Sequence, residues 1–439
     1  ISAAGQDVTL NSANNNFTGA VSIDGEDVGV TDTNGIILGT STVTGTTTGY
    51  DITAGGTVTQ DLGTALTITG LTTISAVSGG TKQNVTLTNT SNNFQDGVEI
   101  TGAVVAITDL DTLILGASTV TGTYNVTATA GNITQNGALI ITGITTLLTS
   151  GEGATIDLST TSNKFTGALL ITTNDNTDGS DELYEADVTI DGGEIAALVI
   201  GTSTIDGDLT LINGNASGIT DAGGATVTVN GNLSATTDAN NGIINLDGLA
   251  VDGSISLTTN GTGNATIVND AGLDFATLTI GGDLNATATT LNISDSGTLT
   301  VTGATNIYLG INPIFAASGA TSATDINGLT ITLDTANNLF TEGITLHYEY
   351  ILSDNSDIDL ARQVVFAETL WGVGNNISKI HGSYGGVQDS ILKMYKLFMD
   401  TLPKRKKKFE EVKKPLPYHS KIKKIKTKII QEDGDNKEL

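Results

Sequence analysis

Apolar and polar residues alternate along most of the chain, in short runs that are separated by Gly, Asn or Asp. In residues 7–23, Val8 and Leu10 alternate with polar neighbours, an Asn-rich segment follows, and a second alternating pair comes after Phe17. A period of two places every second side chain on one face of a strand. The pattern therefore predicts a strand, a turn and a second strand in this unit.

The same unit recurs without a gap at residues 84–100, 155–171 and 330–346. So short a unit cannot bury its own apolar face, and we expect the copies to stack on their neighbours. The Asn of each turn is expected to bond to turn backbone and to join an internal amide ladder, and the following Phe to pack in the core or against the turn. These residues are Asn15, Asn92, Asn163 and Asn338, and Phe17, Phe94, Phe165 and Phe340.

The unit belongs to longer repeats. Phe17 and Phe94 are 77 residues apart, Phe94 and Phe165 are 71 apart, and each repeat holds at least six short alternating runs. At about 20–25 residues per coil, one repeat makes roughly three coils. The chain is therefore predicted to be an all-β, parallel β-helix (β-solenoid), a rod of roughly 70 Å, with a string of β-sandwich domains as the alternative. Repeats are expected near residues 1–76, 77–147, 148–235 and 236–320, with a partial repeat at 321–350.

The pattern changes near residue 350. Residues 359–374 and 387–402 carry apolar residues at three- and four-residue spacing, which is typical of amphipathic helices. Residues 404–439 are basic, interrupted by Pro, and polar at the end. We therefore predict a β-solenoid at residues 1–350, a small helical segment at 351–403 and a basic, flexible C-terminal tail at 404–439.

Charge is unevenly distributed along the chain. The formal net charge is −28, but residues 1–350 contain only two basic residues, Lys82 and Lys164, against 35 acidic ones. Residues 351–439 hold the other 17 Lys and Arg with 12 Asp and Glu, which makes this part positive. An acidic body repels nucleic acid and anionic membranes and attracts Ca²⁺ and basic partners. No nucleic-acid partner is therefore expected.

Three interpretations are open for the basic stretch at residues 404–428. It binds an anionic membrane or lipopolysaccharide, it docks on the acidic body of a neighbouring copy and builds an oligomer or filament, or it is a solvated terminus. No apolar run is long enough for a transmembrane segment. Cysteine is absent, which a secreted protein with a large core tolerates. Without an initiator Met or a signal peptide, the chain is expected to be a mature or proteolysed piece of a longer protein.

An acidic insertion at residues 174–187 is the best candidate for a metal site. It begins with an alternation of oxygen-bearing side chains, and a Glu lies eleven residues after the first of them. This spacing is typical of an EF-hand calcium loop, although the first position is Asn and no helical pattern flanks the loop. A solvated acidic loop is the competing interpretation. The candidate calcium ligands are Asn174, Asn176, Asp178, Asp181 and Glu185.

Four motifs of the first repeat carry a resemblance to a known family. They lie at residues 15–22, 30–45, 56–60 and 66–73, with the sequences NNFTGAVS, VTDTNGIILGTSTVTG, GTVTQ and LTITGLTT. With their copies in the later repeats, they resemble the filamentous-haemagglutinin-like exoproteins of Gram-negative bacteria. The resemblance covers residues 1–346. It implies a right-handed β-helix, export through an outer-membrane partner, and a role in adhesion or surface structure.

No catalytic constellation stands out in the sequence. Polysaccharide lyases with a β-helix fold usually need an Arg or Lys as base beside the substrate, yet residues 1–350 contain no Arg, two Lys and a single His, His347. Composition does not exclude a hydrolase with paired carboxylates. We therefore expect an extracellular, non-catalytic surface fibre or adhesin stalk that contacts host or neighbouring-cell surfaces, glycans or matrix. The alternatives are a calcium-dependent surface-layer or filament subunit and, less favoured, a polysaccharide-active β-helix enzyme.

Overall fold

The computed structural model describes residues 1–160, 162–174, 186–237, 241–310, 331–333, 335 and 337–348. In these residues the chain forms 41 β-strands and no helix. Every described strand pair is parallel except a short hairpin that joins Thr72–Ser78 to Thr81–Lys82. The ladders stack through more than a dozen turns. The predicted all-β, parallel solenoid is therefore confirmed for the described residues, which do not form separate sandwich domains.

Most strands are short, with two to five residues. The first set is β1 (Val8–Leu10), β2 (Asp24–Gly25), β3 (Val28–Asp32), β4 (Ile36–Leu38), β5 (Ser41–Val43), β6 (Tyr50–Ala54), β7 (Val58–Gln60), β8 (Leu66–Ile68), β9 (Thr72–Ser78) and β10 (Thr81–Lys82). The second set is β11 (Val85–Leu87), β12 (Asn93–Phe94), β13 (Val98–Gly102), β14 (Val105–Asp109), β15 (Leu113–Leu115), β16 (Ser118–Val120), β17 (Tyr124–Ala128), β18 (Ile133–Gln135), β19 (Leu139–Ile141) and β20 (Thr145–Thr149).

The remaining strands follow the same order. The third set is β21 (Ile156–Leu158), β22 (Lys164–Phe165), β23 (Leu169–Thr172), β24 (Val188–Asp191), β25 (Leu198–Ile200), β26 (Ser203–Ile205), β27 (Leu209–Asn213), β28 (Ile219–Asp221), β29 (Val227–Val229) and β30 (Leu233–Thr237). The last strands are β31 (Ile244–Val251), β32 (Ser254–Thr258), β33 (Ala265–Asn269), β34 (Leu273–Ile280), β35 (Leu284–Ala288), β36 (Ile293–Asp295), β37 (Leu299–Val301), β38 (Thr305–Leu309), β39 (Ile331–Thr332), β40 (Leu339–Phe340) and β41 (Ile344–Tyr348).

The strands form two faces of the rod. On face 1, β1, β3, β6 and β9 stack in register, with Val28 against Tyr50 and Tyr50 against Thr72, so that one turn takes 22 residues. On face 2, β4, β7, β11 and β14 stack in the same way, with Ile36 against Val58. The small sheet of β2, β5, β8 and β12 also belongs to face 2, because β5, β8 and β12 each follow β4, β7 and β11 after a bend.

We call each passage of the chain across one face a half-turn. A half-turn is one strand, as in β3, or two short strands with a bend between them, as in β4 and β5. The repeated unit starts with β1 on face 1, with β11 and β12 on face 2, and with β21 and β22 on face 1 again. Seven half-turns separate one copy from the next. Because seven is odd, equivalent residues of successive repeats lie on opposite faces.

The repeat thus makes three and a half turns, where the sequence pattern predicted three. The pattern counts alternating runs, but it does not tell whether two consecutive runs cross one face or two. β4 and β5 are separated only by Gly39 and Thr40 and stay on face 2. A half-turn with such a bend contains two strands, so the number of half-turns cannot be read from the number of strands.

Inward-facing side chains fill the rod. Strands such as β3 and β20 alternate buried and half-buried residues, as the period of two predicts. Phe94 and Phe165 are only 1% exposed, and Phe17 and Phe340 are partly buried against the same core. The predicted packing role of the Phe series is therefore confirmed. The helical segment 351–403 and the basic tail 404–439 lie outside the described residues.

Candidate functional site

A buried amide pair links successive repeats, at a contact that we call a junction. Asn92, which is fully buried, donates from Nδ2 to Leu87 O at 3.3 Å and to Gln60 Oε1 at 3.1 Å, and its Oδ1 accepts from Leu66 N at 3.0 Å. Gln60 Nε2 donates back to Asn92 Oδ1 at 2.6 Å. Asn15 likewise donates to two backbone carbonyls, at 2.7 and 3.1 Å. The predicted bond from Asn to turn backbone is confirmed, and the preceding repeat supplies an amide partner.

The amide pair recurs at the second junction. Asn163 Nδ2 donates to Gln135 Oε1 at 3.1 Å, and Gln135 Nε2 donates to Asn163 Oδ1. At the last junction the equivalent of Gln is Asp295, which accepts from Asn338 Nδ2 at 2.5 Å, and Asn338 Oδ1 accepts from Leu299 N at 2.9 Å. These junctions therefore each include at least one amide that donates a hydrogen bond.

The third junction lacks this amide. Asp221 ends β28 at the position that Gln60 holds in β7, and Asp247 of β31, an exposed residue, lies near it. Asp221 Oδ2 accepts from Gly248 N at 2.6 Å. Burial raises the pKa of Asp221 to about 6, and the neighbouring Asp247 contributes to the same rise. Two carboxyl groups thus replace the amide pair.

A set of buried carboxyl groups holds the Phe turns. Asp32 Oδ2 accepts from Phe17 N at 2.7 Å, and Asp109 Oδ2 accepts from Phe94 N at 3.1 Å. Burial raises the pKa of Asp109 to about 6. Asn269 holds the equivalent place in the fourth repeat, where its Oδ1 accepts from a backbone N–H at 2.8 Å. An uncharged amide therefore performs the same task.

The Ser of the motif GTSTVTG also has a structural role. Ser41 Oγ accepts from Ile23 N at 3.1 Å and donates to Gly39 O at 3.1 Å. Ser118 and Ser203 make the same two bonds at 2.9–3.0 Å. The Ser of this motif, which is part of the family resemblance, thus fixes its strand to the turn before it.

Acidic residues concentrate at one edge of the rod. We call edge 1 the turns that lead from face 2 to face 1, and edge 2 the turns that lead from face 1 to face 2. Among the described residues, edge 1 carries eleven acidic residues and no basic one, whereas edge 2 carries three acidic residues and Lys82. The residues of edge 1 are Asp7, Glu26, Asp27, Asp96, Asp111, Glu152, Asp187, Asp206, Asp208, Asp252 and Asp270, and those of edge 2 are Glu194, Asp283 and Glu342.

Several edge-1 carboxyl groups bond to the backbone of the next turn. The Gly49 N–H, which donates to Asp27 Oδ1 at 2.8 Å, lowers the pKa of Asp27. Asp187 Oδ1 accepts from Asp208 N at 2.8 Å. Burial raises the pKa of Asp270, and the charge of Asp252 adds to the rise. Edge 1 is therefore an ordered line of negative charge along the rod.

The insertion that was predicted to bind calcium begins and ends at edge 1. It starts after β23 and ends before β24, and Thr173 Oγ1 donates to Ala186 O at 3.2 Å, which holds its two ends together. Asn174 is the predicted ligand that the structure describes, and it is half-buried. The other four predicted ligands lie outside the described residues: Asn176, Asp178, Asp181 and Glu185.

The described part of the chain contains no group of three or more His, Asp or Glu that could hold a metal ion. It also contains no helix that is long and apolar enough to span a membrane.

Comparison with known families agrees with the geometry of seven half-turns. A model of "Repeats of unknown function (DUF5649)" matches residues 1–24, 25–101, 101–172 and 262–347, which together are more than half of the chain. The chain belongs to this family. Each of the three longer matches contains seven half-turns. Residues 173–261, between the last two matches, contain the insertion and the Asp221–Asp247 pair. No curated protein and no solved structure matches the chain.

Proposed function

We propose that the chain is an extracellular structural or adhesive protein, a rod that serves as a surface fibre or adhesin stalk and has no catalytic activity. The observation that supports this proposal is the uninterrupted stack of parallel turns around a core of the chain's own side chains. At about 4.8 Å per turn, more than a dozen turns make a rod of roughly 60–70 Å. A filled rod of this length suits spacing and surface contact.

The outer faces are suited to broad polar contact. Thr31, Thr53 and Thr101 belong to one outward column on face 1, with a Ser between the last two. Short hydroxyl side chains leave the face flat and offer both donors and acceptors. The partners in this proposal are host or neighbouring-cell surfaces, glycans or matrix.

Adhesion is tested with beads that carry the full chain. Retention of the beads on cell layers, glycan arrays and matrix proteins is compared with retention of beads that carry the variant Thr53→Lys/Thr101→Lys. As a control, Thr127→Lys changes a comparable outward position on face 2. Retention that one of these variants abolishes supports adhesion through that face. Absence of retention on every surface contradicts the adhesive role.

A second candidate function is a surface-layer or filament subunit that assembles through its acidic body and basic tail. The concentration of acidic residues on edge 1 supports it, because residues 404–428 have the opposite charge. Calcium, in this proposal, bridges acidic bodies or binds the insertion at Asn174, Asn176, Asp178, Asp181 and Glu185. In such a contact, the basic tail of one copy binds edge 1 of a second copy.

Sedimentation of the full chain tests the assembly proposal. Self-association is expected to weaken with salt, because the contact is electrostatic, and to disappear when residues 404–439 are deleted. Asp206→Asn/Asp208→Asn on edge 1 should weaken it, whereas Asp283→Asn on edge 2 should not. Sedimentation as a monomer with Ca²⁺ and with a chelator contradicts both the tail contact and the calcium contact.

The finer features of the proposal follow from the family resemblance and the sequence pattern. They are a right-handed sense of the solenoid, export through an outer-membrane partner, and a helical segment at residues 351–403. A polysaccharide-active enzyme is the least favoured alternative. It requires release of sugar from a glycan panel, and this release must disappear when a single Asp is replaced.

A further inference from the structure

We propose that edge 2 of the rod is a contact surface for a second copy of this chain, which packs antiparallel along it through a stripe of exposed apolar side chains. This contact goes beyond the functions proposed above, and it involves neither the basic tail nor calcium.

The exposed apolar residues of the rod concentrate on edge 2. Ten large apolar residues are exposed in the described part of the chain, and four of them lie on this edge, whereas two, Leu110 and Leu291, lie on edge 1. Edge 2 thus contrasts with edge 1, which carries eleven acidic residues. We call the four residues of edge 2 the apolar stripe: Val104 (42% exposed), Ile144 (46%), Ile195 (63%) and Ile243 (39%).

The stacking of the turns orders the stripe. Val105 N donates to Thr123 O at 2.9 Å, and Tyr124 N donates to Ile144 O at 2.9 Å, so these successive turns of edge 2 are held in register. A Cβ at Gly143 would lie 2.4 Å from the backbone of the preceding turn, so the turns stack without a gap. The stripe is therefore a continuous feature of one edge.

The spacing of the stripe makes it self-complementary. One stripe residue lies in every second turn over seven successive turns of edge 2, and the middle turn is residues 166–168. A two-fold axis through this middle turn, with the two rods antiparallel, brings Val104 to Ile243 of the second copy and Ile144 to its Ile195. Each apolar side chain then meets another one and leaves water.

Charge decides the orientation of the second copy. Among the described residues, the charged side chains of edge 2 are Lys82, Glu194, Asp283 and Glu342. In a parallel pair, each of them would lie opposite the same residue of the other copy, and like charges would meet. In the antiparallel pair centred on residues 166–168, each lies opposite a turn without a charged residue. Two copies that met through edge 1 would bring their acidic residues together.

The edge is large enough for a reversible contact. The stripe spans six steps of about 4.8 Å, or roughly 29 Å, and packed sheets lie about 10 Å apart, which sets the width of the edge. The stripe alone covers roughly 300 Å² per copy, and contact along twice its length buries roughly 1,200 Å² in total. Specific interfaces begin at about this size, so we expect a dimer that forms at about 10–100 μM protein.

Sedimentation velocity of the full chain tests the dimer. Association should strengthen with sodium sulfate, because salt screens the repulsion between two chains of formal charge −28 and sulfate favours apolar burial. The tail contact weakens with salt, so the two contacts are distinguishable. Ile144→Asp/Ile195→Asp should raise the dissociation constant at least about tenfold, because burial of a carboxylate is costly. Leu110→Asp/Leu291→Asp, which adds the same charge to edge 1 at similarly exposed residues, should not.

Disulfide cross-linking locates the contact. The chain has no Cys, so the thiol of an Ala168→Cys variant, in the middle turn, can pair only with its own copy. This variant should form covalent dimers faster than Leu110→Cys on edge 1. Thr123→Cys should not form them, because the antiparallel pair holds its two thiols roughly 19 Å apart, beyond the reach of a disulfide.

Three results would overturn the proposal. The first is sedimentation as a monomer at every sulfate concentration, and the second is equal weakening of the dimer by the edge-1 variant. The third is cross-linking of Leu110→Cys or Thr123→Cys as fast as that of Ala168→Cys, since a contact at edge 1 or a parallel pair would then explain the dimer.

Discussion

Replacement of Asn92 by Ala tests whether the amide pair holds two repeats together. Asn92 is fully buried, and its side chain bonds to Leu66 N, to Gln60 and to the carbonyls of Leu87 and Thr108. Ala removes all of these bonds at once. The change should lower the stability of the first junction much more than a surface substitution does.

The magnitude follows from what each partner loses. Leu66 N is a backbone donor on a buried residue, and a buried donor without a partner costs about 1–3 kcal/mol. Gln60 is half-buried and can turn towards water, so its loss is smaller. The two carbonyl bonds are long, at 3.3 Å, and contribute little. The free energy of unfolding should therefore fall by about 2–4 kcal/mol.

Urea unfolding of the full chain, with amide exchange in β7, β8, β11 and β12, measures this loss. The matched control is Asn93→Ala, because Asn93 is adjacent, half-buried, and makes one long bond of 3.4 Å to Asp111. The control should change stability by less than about 0.5 kcal/mol. A loss for Asn92→Ala that does not exceed the loss for the control would refute the reasoning.

Three further predictions concern the core, one turn edge and a buried carboxyl group. Asp109→Asn should raise the free energy of unfolding by about 1–2 kcal/mol at pH 7 and by little at pH 4. In the wild type, the stabilisation from the Asp109 proton is complete below about pH 3.8 and is lost as the pH rises through about 6. Urea unfolding at both pH values measures the effect, and an equal effect at the two pH values contradicts the prediction. Gly143→Ala should lower the melting temperature, because its Cβ would lie 2.4 Å from the backbone of the preceding turn, whereas Gly19→Ala, with open space, should not. Phe94→Ala should cost about 3–5 kcal/mol of unfolding free energy, and Phe17→Ala, which is partly exposed, clearly less; equal losses in urea unfolding would contradict the packing argument.

Local pattern in the sequence was sufficient to predict the strands, the stacking and the roles of Asn92 and Phe94. Each of these features depends on residues close in sequence or repeated at a fixed step. The partner of Asn92 was missed, since Gln60 lies 32 residues before it and belongs to the preceding repeat. The signal was present in the motif GTVTQ, whose last residue is Gln60. Only the register of β7 with β11 brings the two together.

The acidic edge could not be predicted from the sequence, for a related reason. Acidic residues occur at many turns, and their spacing does not tell which edge each turn occupies. An odd number of half-turns moves the equivalent turns of successive repeats to opposite edges. Asp27 and Asp208 lie in the turns before β3 and β27, and both belong to edge 1. Asp247 near Asp221 was missed too, because it lies where the register of β31 shifts, between Leu246 and Leu249, and the sequence pattern does not show this shift.

The most direct test of the proposed rod is negative-stain electron microscopy of the purified full chain, with Ca²⁺ and with a chelator. The account predicts single, straight rods at least roughly 60 Å long in both conditions, since the stacked turns rise by about 4.8 Å each. Filaments or lattices that form only with Ca²⁺ would favour the assembly subunit over the stalk. Compact particles without a long axis would contradict the rod itself.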